Sequence, residues 1–229
     1  MPDPAVHAET GAAMRRVRLA ARALARSGLV HAYGHCSIRM SPTEFLVSPP
    51  KPLALVGASD IPVAVATTGA LPAGALPEVI AHQHIYRQRD DVGAVARFLS
   101  PHVAALSALG RTPRALHGFG AYFAPQPPLH DDPRLVRDDI SAASLAGSLG
   151  AGRGIVMRGN GAITVGATLE EAVALAWYLE DAARVEMAAL ASGLDAREFT
   201  SEEARARAAA SGRLFERMWD WMTAGDPEL

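Results

Sequence analysis

Short apolar runs of strand length alternate with predicted helices along the middle of this 229-residue chain. Residues 92–99 and 154–157 are apolar and brief, as buried strands are. Pro77 opens a predicted helix over residues 77–89, and a capping box of Thr168 and Glu171 opens a long one over residues 168–192. This alternation predicts an α/β fold in which helices flank a sheet.

Further predicted elements extend this pattern towards both ends. Residues 12–26 place apolar side chains among arginines at helical spacing, which predicts an amphipathic first helix. The other predicted segments are a hairpin over residues 37–40 and 44–48, a strand and loop in 61–76, a helix over 101–110, a long irregular excursion with small strands over 111–139, a short helix over 141–149 and a last helix over 200–221. We expect one domain with a core over about residues 11–193 and a C-terminal helical extension over about residues 200–222.

Composition excludes several classes of partner and chemistry. The formal net charge is −2, and no basic run provides the positive surface that binds nucleic acid or anionic membranes. Cys36 is the single cysteine, which suits a reducing cytoplasm, and no apolar stretch approaches the length of a membrane-spanning helix. Lys51 is the single lysine, so Schiff-base chemistry is excluded unless Lys51 lies in the site. We expect the partner to be a small anionic molecule or another copy of the chain.

The segment that starts at Pro77 carries the first candidate catalytic pair. Glu78 and His82 are four residues apart, so a helix would present a carboxylate and an imidazole on one face. Such a pair suits general acid–base chemistry. A solvated helix face with a capping glutamate is about equally consistent with the spacing.

Arg97 and Asn160 are further candidates. Arg97 interrupts the apolar run 92–99, and because an unpaired buried guanidinium is costly, we expect it to face an acidic partner or an anionic ligand. An edge-strand arginine that reaches solvent is the alternative. Asn160 lies between Gly159 and Gly161 in a turn after a buried strand, where a tight hairpin is as consistent as a functional loop.

Several motifs, in order, resemble those of the class II aldolase/adducin superfamily from about residue 11 to residue 193. The motifs are Tyr33-Gly34-His35-Cys36-Ser37-Ile38-Arg39, Val47-Ser48-Pro49, Glu78-x-x-x-His82-x-x-Ile85-Tyr86, Asp90-Asp91-Val92-x-Ala94-Val95 and Arg158-Gly159-x-Gly161 with Gly166-x-x-Leu169-Glu170-Glu171-Ala172. Within the superfamily, the chain looks most like the branch that decarboxylates hydroxylated aromatic dicarboxylates. The resemblance implies a three-layer α/β/α fold with a central, mainly antiparallel sheet.

The resemblance also implies roles for individual residues. Glu78 would be the general acid/base, and Gly34, His35 and Ser37 would cradle the anionic group of the substrate. The site would lie between subunits of a cyclic homotetramer. The remaining candidate substrate-binding residues are Ser48, His102 and Tyr122, the last of which lies in the irregular excursion and could line a pocket or simply pack in its loop.

The metal site of the family does not carry over. Its divalent ion is held by an H-x-H pair and a third histidine, and those positions here are Arg97, Leu99 and Asn160. Leucine cannot coordinate a metal, arginine stays protonated, and one amide oxygen is a poor ligand. We therefore expect no cofactor, and we expect Arg97 and Asn160 to stabilise the negative charge that the metal holds in the family.

The leading hypothesis is a metal-independent, lyase-like enzyme for a small hydroxy or aromatic carboxylate. It would decarboxylate the substrate, cleave it as an aldolase does, or carry out related proton transfer, with Glu78, Arg97, Asn160 and His82 as catalytic residues. One alternative is a catalytically retired homologue that acts as a binding or scaffold subunit, as the adducin branch illustrates. Another alternative is a relocated metal site, for which the candidate ligands are His35, Glu78, His82 and His102.

Overall fold

The computed structural model describes residues 4–229 as a mixed α/β structure. The helices are α1 (Pro4–Arg26), α2 (Ile80–Gln88), α3 (Pro101–Ala108), α4 (Asp139–Leu149), α5 (Leu169–Ser192), α6 (Ser201–Arg207) and α7 (Leu214–Thr223). The strands are β1 (His35–Ser41), β2 (Glu44–Val47), β3 (Val63–Ala66), β4 (Ala94–Phe98), β5 (Leu129–His130), β6 (Gly154–Met157) and β7 (Ala162–Gly166). Three short 3₁₀ helices lie at Leu53–Leu55, Pro77–Val79 and Gly120–Phe123.

The strands form one seven-stranded sheet in the order β3-β2-β1-β4-β7-β6-β5. Every neighbouring pair is antiparallel except β5 and β6, which are parallel. β4 lies in the middle of the sheet, between β1 and β7, and the register pairs Arg97 with His35 on one side and with Ile163 on the other. The central position of β4 therefore brings two candidate site residues onto adjacent strands.

Apolar layers cover both faces of the sheet. One core packs α1, α3, α5 and α7 against side chains such as Cys36, Ala96 and Phe98. The other packs α2 and α4 against side chains such as Val95 and Ile163. Because successive strand residues face opposite sides, Val95 and Ala96 belong to different cores. The predicted three-layer α/β/α fold with a mainly antiparallel sheet is confirmed.

The structure corrects two details of the predicted helices. The helix predicted over residues 200–221 is two helices, because the chain breaks between α6 and α7, where Gly212 and Arg213 both have positive φ. The capping box is complete at Thr200, but at α5 the side chain of Glu171 accepts from the amide of Ala167 instead of closing the box on Thr168. None of the helices over residues 4–229 combines the length and apolar character that a membrane crossing requires.

The turn between β6 and β7 holds Asn160 against the central strand. Gly159 and Gly161 both have positive φ, a conformation that glycine adopts without steric cost. A Cβ at Gly161 would overlap the carbonyl oxygen of Phe98, so only glycine allows the turn to lie this close to β4. The hairpin expected around Asn160 is confirmed, and its glycines bring Asn160 to the end of β4.

Candidate active site

A cleft of about 310 Å³ opens at the end of the sheet where strand β1 begins and strand β4 ends. Its walls come from the start of β1, the proline-rich loop after β2, the 3₁₀ turn before α2, the end of β4 and the segment before α4. Lys51 belongs to the proline-rich loop and lines the cleft, so the exclusion of Schiff-base chemistry does not follow; its Nζ donates to Oδ2 of Asp60 at 2.8 Å. His35, Glu78 and Arg97 line the cleft and also a small cavity next to it, which Asn160 lines as well. Gly34 lines the cleft as well, so the structure brings five of the predicted site residues into one place.

Arg97 is a buried cation in the wall of this cleft. Its residue is 7% exposed, and its Nη2 donates to Oδ1 of Asn160 at 2.6 Å. Within residues 4–229, none of the ion pairs includes Arg97. Burial lowers the pKa of Arg97 from 12.5 to about 10, and the charge of Glu78 acts in the opposite direction. Because β4 is a central strand, the alternative of an edge-strand arginine that reaches solvent is wrong.

Glu78 lies in the 3₁₀ turn Pro77–Val79 and faces the cleft. Nε and Nη2 of Arg137 both donate to its Oε1, at 2.9 and 2.7 Å. No hydrogen bond from the described residues ends on Oε2, so this oxygen is available to a ligand in the cleft. The side chain of Arg137 is 52% exposed, so Arg137 is a partner at the entrance of the site and not a buried counter-ion.

His82 does not share the cleft with Glu78. Its imidazole is fully buried behind His35, where Nε2 lies 2.8 Å from Nδ1 of His35 and Nδ1 lies 2.7 Å from Oγ of Ser37. Oγ of Ser37 lies 2.8 Å from the hydroxyl of Tyr86. These four side chains form one buried hydrogen-bonded chain, which we call the His35–Tyr86 chain.

Burial keeps both imidazoles of the His35–Tyr86 chain neutral. The pKa of His82 falls from 6.5 to about 3, because burial removes water from the ring and Arg97 adds positive charge nearby. The pKa of His35 falls well below 6.5 through burial, His82 and Arg97. Burial also raises the pKa of Tyr86, so its hydroxyl keeps its proton. The chain therefore carries no net charge at neutral pH.

One nitrogen of this chain has no protein partner. Nε2 of His35 is buried and makes no hydrogen bond with the described residues, although His35 lines the cleft. The preceding Gly34 also lines the cleft, and it has a positive φ of 146°. A Cβ at Gly34 would lie 2.5 Å from Cγ1 of Val30 and 3.1 Å from the carbonyl oxygen of Arg97, so glycine permits this close packing.

Three predicted substrate-binding residues lie outside the cleft lining. Oγ of Ser48 accepts from the amide of Cys36 at 3.3 Å and so ties the end of β2 to β1. The hydroxyl of Tyr122 donates to the carbonyl of Ala209, and its ring packs among core aromatics. Ser37, the third, is buried in the His35–Tyr86 chain and reaches the cleft only through His82 and His35.

His102 also lies away from the cleft, at the start of α3. Its Nδ1 lies 2.7 Å from Oε1 of Glu180, a carboxylate that also accepts from the first amides of α3. Among the described residues, no group of three or more His, Cys, Asp or Glu side chains can hold a metal ion. Within residues 4–229, the structure therefore does not bring His35, Glu78, His82 and His102 together as one set of metal ligands.

The residues at the family's metal-ligand positions do not fit a metal either. Arg97 presents a protonated guanidinium without a free lone pair. Leu99 has a hydrocarbon side chain, and Oδ1 of Asn160 already accepts from Arg97. The donor set that remains around Arg97 suits an anion better than a cation.

Two residues of the candidate site and its surroundings were not singled out from the sequence. Arg137 comes from the irregular segment before α4, where no periodicity marks it. Tyr86 belongs to a motif quoted for the family resemblance, but its bond with Ser37 depends on the packing of α2 against β1. The spacing of Ser37, His82 and Tyr86 gives no local signal of a shared chain.

Comparisons with known proteins show the family to which the chain is related. The model of the Class II Aldolase and Adducin N-terminal domain matches residues 15–187. The 3,4-dihydroxyphthalate decarboxylase of Arthrobacter keyseri is 29% identical over 210 residues, which cover 83% of each protein.

Solved structures show the same fold. L-fuculose 1-phosphate aldolase from Glaciozyma antarctica PI12 superposes with a TM-score of 0.81 at 22% identity, over 97% of this chain and 91% of that one. L-fuculose-1-phosphate aldolase from Thermus thermophilus has a TM-score of 0.70 at 26% identity, over 83% of this chain and 99% of that one. An aldolase II superfamily protein from Pseudomonas syringae has a TM-score of 0.77 at 21% identity, over 93% and 90% of the two chains.

Proposed function

Because the chain belongs to the class II aldolase and adducin family, we propose that it is a carbon–carbon lyase that acts on a small hydroxy or aromatic carboxylate without the family metal. Decarboxylation is the reaction that we favour, since a decarboxylase is among its relatives. Arg97 takes the electrostatic role of the metal, and Glu78 transfers a proton to the carbon of the substrate at which the bond breaks. Cytoplasmic location and a homo-oligomeric assembly remain part of this proposal.

The buried charge of Arg97, which has an amide partner but no ion pair within residues 4–229, carries the proposal. A guanidinium that is removed from water without a carboxylate partner is costly to the folded protein. With a pKa of about 10, Arg97 is nevertheless charged at neutral pH. An anionic ligand in the cleft would supply the missing partner, and a preformed cation in a desolvated wall stabilises charge that develops during a reaction.

The positions of Arg97 and Glu78 suit one balanced reaction. The bond between the substrate and its carboxylate breaks, carbon dioxide leaves, and the electron pair stays on the substrate. Arg97 stabilises that charge on a neighbouring oxygen, and Glu78, which first takes up a proton from solvent, delivers it to the carbon that has lost the carboxylate. Asn160 holds Arg97 in place through the bond at 2.6 Å. An aldol cleavage would use the same cation and the same carboxylate.

The first test is release of carbon dioxide from 3,4-dihydroxyphthalate by the purified protein and three variants. Glu78→Gln and Arg97→Met should each lower kcat/KM by about 100-fold or more, as loss of a proton donor or of one charge stabiliser does. Arg134→Met, which changes an exposed arginine paired with Asp132, should leave the rate unchanged. Undiminished turnover in both site variants would refute the assigned roles.

A second test concerns the metal directly. Elemental analysis of protein purified without chelator should find no stoichiometric divalent metal. The triple variant Arg97→His, Leu99→His, Asn160→His rebuilds the ligand pattern implied by the family, and it should bind about one equivalent of zinc or manganese. Stoichiometric metal in the unmodified protein would contradict the electrostatic role of Arg97.

A binding subunit without catalysis is the second candidate. This candidate is favoured because both charged site residues already have hydrogen-bond partners. Arg97 bonds Asn160, and Glu78 bonds Arg137. Such a protein would bind an aromatic carboxylate in the cleft and release it unchanged. Saturable binding without turnover, unaffected by Glu78→Gln and lost in Arg97→Met, would support this candidate over the lyase.

A further inference from the structure

The charged side chains of the cleft match one carboxylate of a ligand but not two. Those that line the cleft in the described part of the chain are Lys51, Glu78, Arg97 and Arg137. Lys51 is paired with Asp60 at 2.8 Å, and Arg137 is paired with Glu78 at 2.7 Å. Arg97 therefore supplies the net positive charge of this lining, and a second carboxylate on a ligand needs another cation.

Arg137 is suited to supply that cation, because its present bond with Glu78 is easily exchanged. Nε and Nη2 both donate to Oε1, whereas a guanidinium binds a carboxylate best with one donor on each oxygen. Nη1 makes no hydrogen bond with the described residues. The side chain of Arg137 is also half-exposed, and exposed ion pairs contribute little to stability.

The backbone on both sides of Arg137 is anchored. Val136 is buried in the core that α2 and α4 form with the sheet. Asp138 caps α4, and its Oδ1 accepts from the amide of Ser141 at 2.9 Å. An exchange of partners therefore requires only a rotation of the long Arg137 side chain within the cleft that it lines.

Such an exchange changes the surroundings of Glu78. Its carboxylate loses the bond with Arg137 and then shares the cleft with two ligand carboxylates, each of which has a guanidinium partner. Like charges in one site disfavour ionisation, so the carboxylate without a partner takes up a proton. Oε2 of Glu78, which accepts no hydrogen bond from the described residues, is open to that proton.

We propose that Arg137 is a specificity-determining residue that leaves Glu78 to bind the second carboxylate of a dicarboxylate ligand, while Glu78 takes up one proton from water. The proposal rests on the function proposed above, because it concerns the same site. Two cations then face two carboxylates, and Glu78 is a neutral acid. In the reaction this proton passes to carbon, and Glu78 becomes a carboxylate again. The proton donor is thus formed only when a dicarboxylate is bound.

Proton uptake is measurable without turnover. Phthalate is the probe, because it has two carboxylates and lacks the hydroxyl groups of a reacting substrate. Calorimetric titration at pH 7, in buffers that differ in ionisation enthalpy, counts the protons taken up on binding. We expect about one proton per phthalate with the unmodified protein, and no uptake with benzoate, which has a single carboxylate.

Glu78→Gln identifies the group that takes up the proton. The groups that face Glu78 come from four elements: His35 from β1, Lys51 from the loop after β2, Arg97 from β4 and Arg137 from the segment before α4. The three cations already carry their protons, whereas burial keeps His35 neutral by lowering its pKa. Glu78→Gln should bind phthalate without proton uptake. Uptake that persists in this variant would belong to His35 and overturn the proposal.

The preference for two carboxylates tests Arg137 itself. Arg137→Met should raise the Kd of phthalate about 10-fold or more and that of benzoate less than about 3-fold, because only the second carboxylate loses its partner. Retained benzoate binding shows that the variant is folded. Arg137→Lys should recover part of the phthalate affinity, and Arg134→Met, which removes a nearby exposed arginine, should change neither Kd.

The opposite pattern would refute this role. Equal losses for phthalate and benzoate in Arg137→Met overturn it. So does a loss of the preference in Lys51→Met while Arg137→Met keeps it, because the second cation would then be Lys51.

The outcomes also separate this proposal from the proposed function. If phthalate binds without proton uptake, the exchange is overturned, whatever the protein catalyses. If Arg137→Met decarboxylates 3,4-dihydroxyphthalate with an unchanged KM, the exchange is overturned and the lyase stands. If the uptake and the Arg137-dependent preference are both found without turnover, the exchange stands as a property of ligand binding and the lyase fails.

Discussion

Replacement of Arg97 by methionine should stabilise the protein while it abolishes the binding of anions. Methionine has a similar length and reaches into the same space, but it carries no charge to be desolvated. The unmodified side chain is buried near the end of the central strand β4, and an amide is its bonded partner. The variant therefore removes a buried charge that destabilises the free protein and that we expect to stabilise a bound anion.

The expected magnitude follows from the shift in pKa. Burial lowers the pKa of Arg97 from 12.5 to about 10, which corresponds to a penalty of about 3 kcal/mol for the charge in the folded state. Loss of the hydrogen bond with Asn160 costs about 1–2 kcal/mol in the opposite direction. The net increase in the free energy of unfolding is about 1–2 kcal/mol, or roughly 2–8 °C in Tm for a chain of this size.

Urea denaturation at pH 7.5 measures this difference between the variant and the unmodified protein, with equal m values as a check on two-state unfolding. Arg134→Met is the matched control, because it removes an exposed arginine, and its stability should change by no more than about 0.5 kcal/mol. A loss of more than about 1 kcal/mol in Arg97→Met, together with unchanged phthalate binding, would refute the reasoning. In that case Arg97 would be a structural residue whose contacts outweigh its desolvation.

Two further predictions concern stability. Acidification should destabilise the protein between pH 6.5 and about 3, because His82 and His35 bind protons in the unfolded chain at these pH values but stay neutral when buried. Each of the two histidines changes the folding equilibrium by a factor of up to about ten per pH unit in this range, and neither has an effect above pH 6.5. Denaturation across this range checks the slope, which should flatten in His82→Gln and stay unchanged in His102→Gln. Gly161→Ala should cost more than about 2 kcal/mol, because its Cβ overlaps the backbone of β4, whereas Gly159→Ala should cost about 1 kcal/mol for its positive φ alone. Equal thermal shifts in the two alanine variants would show that the turn is not held tightly against β4.

The sequence was sufficient to predict that helices flank a sheet and that Arg97 lies in the candidate site. A charged residue inside an apolar strand is a local signal, and so is the alternation of strands and helices. Whether that strand was central or at an edge depended on pairing with β1 and β7, which are distant in sequence. The edge alternative could therefore be rejected only with the sheet order known.

The prediction that Glu78 and His82 lie on one helix face was wrong for a geometric reason. The prediction assumed one continuous α-helix, in which residues four apart lie on one face. The first turn is a 3₁₀ helix with about three residues per turn, so Glu78 is rotated relative to the α-helical residues that follow. Glu78 faces the cleft, whereas His82 points into the sheet and bonds Ser37.

In the turn between β6 and β7, different residues determine the backbone shape and the functional group that faces the site. Gly159 and Gly161 set the backbone of this turn, and neither of them presents a functional group. Residue 160 between them can therefore be exchanged without rebuilding the hairpin. The same loop can carry an amide that supports a buried arginine, or an imidazole that ligates a metal. Under the function proposed above, a few such substitutions exchange metal-based for arginine-based charge stabilisation and leave the order of the sheet unaltered.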